Sequence, residues 1–201
     1  WLRGKGRIFY DENDAPSYAI GGCMDVTSLK LAEERLSYRA DHDDLTGLGN
    51  RSQFILDLDH LGAARHTDHV VALLDIEHFA DINDGLGHEV GNLLLQSIAG
   101  RLVHALPDCR VSRIGADVFG IHGPGAQMQP DRLLALMEEP FLAGEHALPI
   151  GGTLGLVRLL EGGVGGLTLL KRANIALNRA KKSLHARYEY FIEDMEDKTK
   201  W

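Results

Sequence analysis

Residues 111–123, VSRIGADVFGIHG, contain two short apolar runs on either side of a bend at Gly115 and Ala116. Apolar runs that flank a glycine predict a β-hairpin, and Asp117 is the one carboxylate at its bend. Gly115 allows close backbone approach. An alanine at positive φ would cost about 1–2 kcal/mol, so the turn either avoids positive φ at Ala116 or is strained there.

Helical and strand patterns alternate on both sides of this hairpin. The run VVALLDI, residues 70–76, is continuously apolar and predicts a central strand that ends at Asp75. Residues 77–92 and the glycine-rich residues 161–166 predict loops. The other patterns predict helices at 51–65, from the end of the loop at 77–92 through about 106, near 130–138 and at 167–184. They predict strands near 148–158 and at 188–192. This order predicts an α+β fold, a mixed sheet with helices on one or both faces.

The first 40 residues follow a separate pattern. Residues 5–10 and 17–24 predict two strands around the segment DENDAP, whose Asp, Asn and Pro favour a turn. A helix is predicted from Thr27 up to the segment DHDD. Its short apolar stripe has two interpretations: packing on its own domain, or a two-stranded coil that joins two copies of the chain.

Composition and charge exclude several classes of protein. The 201 residues suit one domain with an appendage, and a net charge of −8 argues against a sequence-independent nucleic-acid binder. No apolar run approaches the roughly 20 residues that cross a bilayer, and the N-terminus lacks a signal-peptide core. We therefore expect a cytoplasmic fragment without membrane or nucleic-acid contacts. Cys23 and Cys109 are expected to be buried thiols, and the histidines lack paired metal-ligand spacing.

Two carboxylates stand at the ends of predicted strands. Asp75 closes the central strand and Asp117 lies in the hairpin bend, so a sheet that sets these strands side by side would bring both to one edge. Such a pair suits Mg²⁺ carrying a triphosphate, because Mg²⁺ takes one or two carboxylates together with phosphate oxygens and water. The alternative is that each acid only caps a turn.

Four segments, DDLTGLGNRSQF, LLDIEHFADINDGLGHEVGN, SRIGADVFGI and ANIALNRAKK, occur in the order and spacing of the GGDEF domain of diguanylate cyclases. Residues 41–193 resemble that domain. The resemblance implies a palm-like, adenylyl-cyclase-related fold of about five strands flanked by helices. It also implies the family's reaction, in which two domains meet, each with one Mg-GTP. Each ribose 3′-hydroxyl then attacks the α-phosphate of the other nucleotide, which gives cyclic di-GMP.

The flanking segments resemble parts of composite signalling proteins. Residues 1–26 are similar to the C-terminal hairpin of a PAS domain, and residues 27–40 to the linker helix that leaves it. Residues 194–201 resemble the start of a linker to an EAL phosphodiesterase domain. The resemblance therefore implies a parent protein with adjacent PAS and EAL domains. For the linker helix, we expect the interpretation in which it forms a homodimer.

The family signature, Gly-Gly-Asp/Glu-Glu-Phe, aligns with Gly115, Ala116, Asp117, Val118 and Phe119. The match implies that Asp117 keeps a metal-ligand position, and that Asp75 and the carbonyl of Ile76 keep the others. Val118 replaces the second acid, which in the family binds metal and activates the hydroxyl. Because an isopropyl group can do neither, we expect a rate at least about 10²-fold below that of active members.

Further positions match the family's nucleotide pocket: Phe79, Asn83, His88, Asn92 and Lys181. The implied ligand is GTP or another nucleotide with Mg²⁺. Ala80 and His185 stand where the family has a lysine and an arginine near the phosphates, and the loss of two cations weakens phosphate binding. Asn92 replaces an aspartate that resembles the guanine-edge acceptor, so a changed or relaxed base preference is a hypothesis.

The resemblance and its departures together suggest a regulatory, non-catalytic GGDEF domain of cyclic di-GMP signalling, in which a bound nucleotide controls an adjacent EAL domain. Two alternatives stay open. One is a weakly active diguanylate cyclase that still uses Asp75 and Asp117, and the other is a dimerisation scaffold that binds no nucleotide. Product feedback is not expected, because residues 106–109, LPDC, lack the family's Arg-x-x-Asp.

Overall fold

A computed structural model describes residues 1–63, 68–159 and 164–193 of the chain. The chain divides into two units, Trp1–Ala40 and Asp41–Trp201. In the first unit an antiparallel hairpin is followed by a helix. The strands are β1 (Leu2–Tyr10) and β2 (Pro16–Asp25), and the helix is α1 (Thr27–Asp41). The predicted N-terminal hairpin and helix are therefore confirmed.

The hairpin of the first unit exposes nearly all of its side chains. Its turn is closed by Asp11, whose carboxylate accepts the amide N–H of Asn13. Among the residues of β1 and β2 only Phe9 is half-buried, and it stacks on Tyr18 with ring centroids 4.7 Å apart. Cys23 is exposed. The prediction of a buried thiol is wrong there, because a two-stranded sheet has no core of its own.

The second unit is built on a five-stranded sheet. Its elements, in chain order, are α2 (Arg51–Ala63), β3 (His69–Ile76), α3 (Phe79–Leu86), α4 (His88–Ala105), β4 (Arg110–Arg113), β5 (Val118–Pro124), α5 (Pro130–Ala135), β6 (Phe141–Ala143), β7 (His146–Leu148), β8 (Gly152–Arg158), α6 (Gly166–Lys182) and β9 (Tyr188–Tyr190). The strand order is β4-β5-β3-β8-β9, and only β8 and β9 pair in parallel. The predicted α+β class with a mixed sheet of about five strands is confirmed.

β3 is the central strand, and every residue after His69 in it is buried. Because side chains alternate along a strand, Leu74 and Ile76 face a core shared with α3, α4 and α5. Val71 and Leu73 face a second core, shared with α2 and α6. Each fully buried side chain of this kind contributes about 1.5–3 kcal/mol. Helices thus cover both faces of the sheet. No helix in the described ranges is long and apolar enough to span a membrane.

Residues 77–92 are mostly helical, so the prediction of a loop there is wrong. α3 forms because Phe79 and Ile82 pack into the core on the α4 side of the sheet. Gly87, at φ 88°, separates α3 from α4. Gly91, which also favoured a loop, lies buried inside α4. Tertiary packing therefore outweighs the low helix propensity of these glycines.

The remaining elements differ from the predictions by a few residues. α5 ends at Ala135, and the strand predicted near 148–158 begins at Gly152. The hairpin of β6 and β7 has no signal in the sequence pattern, because its strands of 3 residues each are too short for alternation to be recognised. The end of the helix predicted at 51–65 and part of the loop predicted at 161–166 lie outside the described residues.

His122 is a buried titratable group in β5. Its side chain is 7% exposed, and its ring lies 5.8 Å from that of Phe54 between centroids. Burial lowers the pKa of His122 from 6.5 to about 4. The carboxylate of Asp57, 3.9 Å from Nε2, opposes this shift, while His69 and Arg110 add to it. His122 is therefore neutral in the folded chain at neutral pH.

We expect the free energy of unfolding to fall as the pH drops from about 6.5 to about 4. In this pH window His122 binds a proton in the unfolded chain but not in the folded chain, so protonation favours unfolding. Over the whole window this lowers the free energy of unfolding by about 3 kcal/mol. Replacing His122→Gln should remove this part of the pH dependence, measured by chemical denaturation at several pH values. The control, His104→Gln at an exposed position of α4, should keep the original slope. Equal slopes for the two variants would contradict the assignment.

Candidate functional site

The edge of the sheet where β3 ends and β5 begins carries the acidic residues of the site. Asp75 lies opposite Val118 in antiparallel register, and the amide N–H of Ile76 donates to the carbonyl of Asp117 at 3.0 Å. On the other side of β3, Thr153 of β8 lies opposite Asp75. The structure therefore brings together Asp75, Ile76 and Asp117, which the sequence analysis predicted to bind a metal.

Asp75 is 7% exposed and pairs with Lys181, with 2.5 Å between Oδ2 and Nζ. Lys181 lies in the last turn of α6, where a cation also interacts favourably with the helix dipole. Burial raises the pKa of Asp75, and the charges of Asp117 and Glu77 add to the rise, while the hydrogen bond and charge of Lys181 oppose it. The acidic edge thus carries more negative charge than Lys181 alone neutralises.

A divalent cation is the group that this edge could accept in addition. Mg²⁺ binds one or two carboxylates and completes an octahedral shell with phosphate oxygens and water. Asp75, Asp117 and the carbonyl of Ile76 provide such a partial set. In the described part of the chain, no three His, Cys, Asp or Glu side chains are grouped to hold a metal by themselves. The donor set therefore fits Mg²⁺ that arrives with a phosphate ligand, and not a metal held by the protein alone.

A cleft of about 730 Å³ opens beside the acidic edge, at the end of β3 and the loop that follows α6. This volume is in the range of small-molecule sites. Its titratable lining residues are Asp75, Glu77, His78, Lys181, His185 and Arg187. The remaining predicted residues do not line it: Ile76, Asp117, Phe79, Asn83, His88 and Asn92. Of the predicted site residues, the cleft therefore contains Asp75 and Lys181.

Glu77 is a cleft residue that the sequence analysis missed. Its Oε1 accepts the hydroxyl of Thr153 at 2.8 Å, and its amide N–H donates to the carbonyl of Gly151 at 3.1 Å. A Cβ at Gly151 would collide with the Glu77 carboxylate and would lie 3.5 Å from Nη2 of Arg187. The only sequence signal for Glu77 is its place two residues after Asp75. Thr153 and Arg187 offer no such signal, because they lie far along the chain.

The turn between β4 and β5 forms without positive φ at Ala116. The amide N–H groups of Ile114 and Gly115 both donate to the carbonyl of Val118, at 3.0 and 3.3 Å. The strained alternative for Ala116 is therefore wrong. Val118 itself packs with Ile114 against the core beneath α2 and α6, while Phe119 is fully buried in the other core.

Arg113 fixes the shape of this turn. Its Nη2 donates to the carbonyl of Ala116 at 2.7 Å, and its Nη1 donates to the Asp43 carboxylate at 3.0 Å. Asp43 also accepts the amide and hydroxyl of Thr46 at 2.9 and 2.8 Å. Burial raises the pKa of Asp43, but the hydrogen bonds of Thr46 and the charge of Arg113 outweigh it and hold that pKa below its usual value. The loop at residues 41–50 therefore supports the signature turn.

The predicted base-side residues lie on α3 and α4. Phe79 is buried at the start of α3, and Asn83 is half-buried one turn further on. A Cβ at Gly91 would collide with Oδ1 of Asn83, so this amide lies against the backbone of α4 beside Asn92. His88 and Asn92 are exposed. The structure thus groups Phe79 and Asn83 with the first turns of α4.

We expect Asp43→Ala to lower the free energy of unfolding by about 2–4 kcal/mol, because it leaves the largely buried guanidinium of Arg113 without its carboxylate. Asp43→Asn should cost less, since an amide oxygen still accepts from Thr46. Asp81→Ala is the matched control. Among the residues that the structure describes, this exposed acid pairs only with His78, and its loss should change stability by less than about 0.5 kcal/mol. Urea denaturation measures all three. Similar losses for Asp43→Ala and Asp81→Ala would contradict the proposed role.

Comparison with known proteins finds relatives of this chain. The family model described as "Diguanylate cyclase, GGDEF domain" matches residues 40–187. Signaling protein YkoW of Bacillus subtilis (strain 168) is 34% identical over 180 residues, which are 84% of this chain and 22% of YkoW. Cyclic di-GMP phosphodiesterase PdeR of Escherichia coli (strain K12) is 27% identical over 187 residues, 89% of this chain and 28% of PdeR. The chain therefore spans less than a third of either relative.

A solved structure shows the same fold at a similar level of identity. The GGDEF domain of TpbB, also called YfiN, from Pseudomonas aeruginosa (PAO1) superimposes with a TM-score of 0.67 and 30% sequence identity. The match covers 79% of this chain and 97% of that domain. These matches confirm the predicted resemblance to the GGDEF domain, over residues 40–187.

Proposed function

This chain belongs to the GGDEF family of diguanylate cyclase domains, and we propose that it is a regulatory domain of cyclic di-GMP signalling that binds a nucleotide without converting it to product. The observation that carries the proposal is Val118 at the position of the second signature acid. Its isopropyl group, like the side chain of Ile114, is partly buried and packs against the core beneath α2 and α6. It can neither ligate a cation nor accept a proton from a ribose hydroxyl.

Nucleotide binding is supported by the groups that remain at the acidic edge. Asp75, Asp117 and the carbonyl of Ile76 would hold Mg²⁺, which when bound supplies positive charge against the phosphates. Lys181 and Arg187 line the same cleft and can donate to phosphate oxygens. Recognition of the phosphates and catalysis are therefore separable in this chain.

The partner we propose for this domain is an adjacent EAL phosphodiesterase domain, reached through residues 194–201, with a PAS domain contributing residues 1–26. The name of the relative PdeR supports the link to a phosphodiesterase. Dimerisation is proposed through residues 27–40, since α1 has no buried residue and exposes Leu29 and Leu36 seven positions apart. Nucleotide occupancy of residues 41–193 would then be passed to the neighbouring domain.

A weakly active cyclase is the second candidate, because Asp75 and Asp117 lie close to each other at one edge of the sheet. We expect no cyclic di-GMP from the purified chain with GTP and Mg²⁺ or Mn²⁺, measured by chromatography of the products. Asp117→Ala is the control for residual chemistry and should give the same trace level. Turnover that exceeds this level, and that disappears in Asp117→Ala, would overturn the proposal in favour of the weak cyclase.

Binding is tested separately by thermal shift with Mg-GTP, Mg-ATP and cyclic di-GMP. A nucleotide at 100 times its Kd should stabilise the chain by about 2.7 kcal/mol. Lys181→Ala removes a hydrogen-bond donor to the phosphates, so it should weaken the apparent affinity for the nucleotide at least about tenfold. The stabilisation by the nucleotide should fall accordingly. Lys182→Ala, the loss of the same charge at the next, exposed position, should leave the affinity unchanged. No stabilisation by any nucleotide, beside a persistent dimer, would favour a scaffold.

A further inference from the structure

Asp75 and Lys181 form an ion pair whose two side chains are unequally accessible. Both residues line the cleft, and Nζ of Lys181 donates to Oδ2 of Asp75 at 2.5 Å. The side chain of Lys181 is 43% exposed, whereas that of Asp75 is 10% exposed. A ligand that enters the cleft can therefore reach the ammonium group more easily than the carboxylate.

The backbone is anchored on both sides of this ion pair, so the lysine stem is the part that can move. Asp75 lies in β3, the buried central strand, and Ala180, which directly precedes Lys181, is 2% exposed. A lysine carries its charge at the end of a flexible chain of four carbons. The ammonium group can therefore leave Asp75 for another anion in the cleft while α6 stays in place.

The ammonium group and a divalent cation would compete for the same carboxylate. Within the described ranges, the side-chain hydrogen bond that Asp75 accepts comes from Lys181. A doubly charged ion at Asp75 would lie beside this ammonium group, and repulsion between two cations is weakly screened at a partly buried site. The charges of Asp117 and Glu77 are close enough to raise the pKa of Asp75, so negative charge remains for a cation once the ammonium group has left.

A phosphate group changes this competition, because it offers the ammonium group a second partner. Hydrogen bonds between a lysine and a phosphate are charge-assisted and belong to the strong class. His185 and Arg187 line the same cleft as Lys181 and add donors for an anion there. An anion in the cleft would therefore draw Lys181 away from Asp75.

We propose that Lys181 excludes a divalent cation from Asp75 until a phosphate group takes over its ammonium group, so that metal and phosphate occupy the site together. This inference rests on the proposed nucleotide binding. Because the coupling between two bound ligands is reciprocal, a cation at Asp75 would also favour the contact of Lys181 with the phosphate. Without a nucleotide, the ion pair closes the metal site.

Loss of the Lys181 ammonium group should change the affinities for metal and nucleotide in opposite directions. Lys181→Met frees Asp75, so the chain should bind Mn²⁺ alone at least about tenfold more tightly. The same substitution removes a donor to the phosphates, so Mg-GTP should bind at least about tenfold more weakly. An ion pair that only stabilised the fold would shift both affinities in the same direction or leave both unchanged.

The test is titration of the 201-residue chain with Mn²⁺ alone, in which electron paramagnetic resonance measures free Mn²⁺. Lys181→Arg keeps a cation beside Asp75 and should bind Mn²⁺ as weakly as the unsubstituted chain. Lys182→Met removes the same charge at the next, exposed position and should leave the affinity unchanged. Thermal midpoints without ligand show whether each variant is folded. If Lys181→Met is unfolded, Lys181→Gln replaces it, since its neutral amide can still donate to Asp75.

A double variant shows where the metal binds. When Asp75→Asn is added to Lys181→Met, the gain in Mn²⁺ affinity should disappear, because the freed carboxylate is lost. A gain that survives Asp75→Asn would place the metal elsewhere and overturn the proposal.

The outcomes separate this proposal from the proposed function. If Lys181→Met binds Mn²⁺ no more tightly than the unsubstituted chain, or if Lys182→Met gains as much affinity, Lys181 does not exclude the metal. The proposal is then wrong, while nucleotide binding is decided by the separate Mg-GTP titration. If Mg-GTP does not bind the unsubstituted chain, the proposed function fails, and the coupling of metal to phosphate fails with it.

Discussion

The antiparallel pairing of β3 with β5 is the constraint on which the site depends. It sets Asp75 opposite Val118 and joins Ile76 to Asp117 through a backbone hydrogen bond. Because side chains alternate along a strand, a slip of one residue would turn Asp75 away from Lys181 and into the opposite core. Burial of β3 between two cores opposes such a slip. The stability of the sheet and the geometry of the acidic edge therefore have the same origin.

The signature turn is held by contacts that do not involve the side chain at position 118. Arg113 holds the carbonyl of Ala116 and is itself held by Asp43, so the bend does not depend on the residue at position 118. Val118 then adds packing to the α2 and α6 side of the sheet. A valine stabilises this position where a second acid would place a charge, and the carbonyl of Asp117 still reaches the N–H of Ile76.

Sequence reasoning succeeds where a signal is local and continuous. The run at residues 70–76 predicted the central strand, and the ends of two strands predicted where Asp75 and Asp117 lie. It fails where partners are distant: Glu77 and Thr153 are 76 residues apart, and Asp43 and Arg113 are 70. No periodic pattern encodes such pairs, because only the closed sheet brings them into contact. The sequence pattern did not predict α3 for a related reason. The glycines around α3 suggest a loop, and only the packing of its apolar face stabilises the helix.

The charge balance of the acidic edge would make the proposed nucleotide binding depend on a metal ion. Lys181 neutralises Asp75, while Glu77 and Asp117 add further negative charge nearby. A triphosphate brings several more negative charges and competes with Asp75 for the same ammonium group. Ala80 supplies no cation to compensate. Without a divalent ion between carboxylates and phosphates, like charges would face each other at a partly buried site, where screening by water is weak. In the proposed function Asp117 would therefore keep a role in binding, although Val118 stands at the position of the second signature acid.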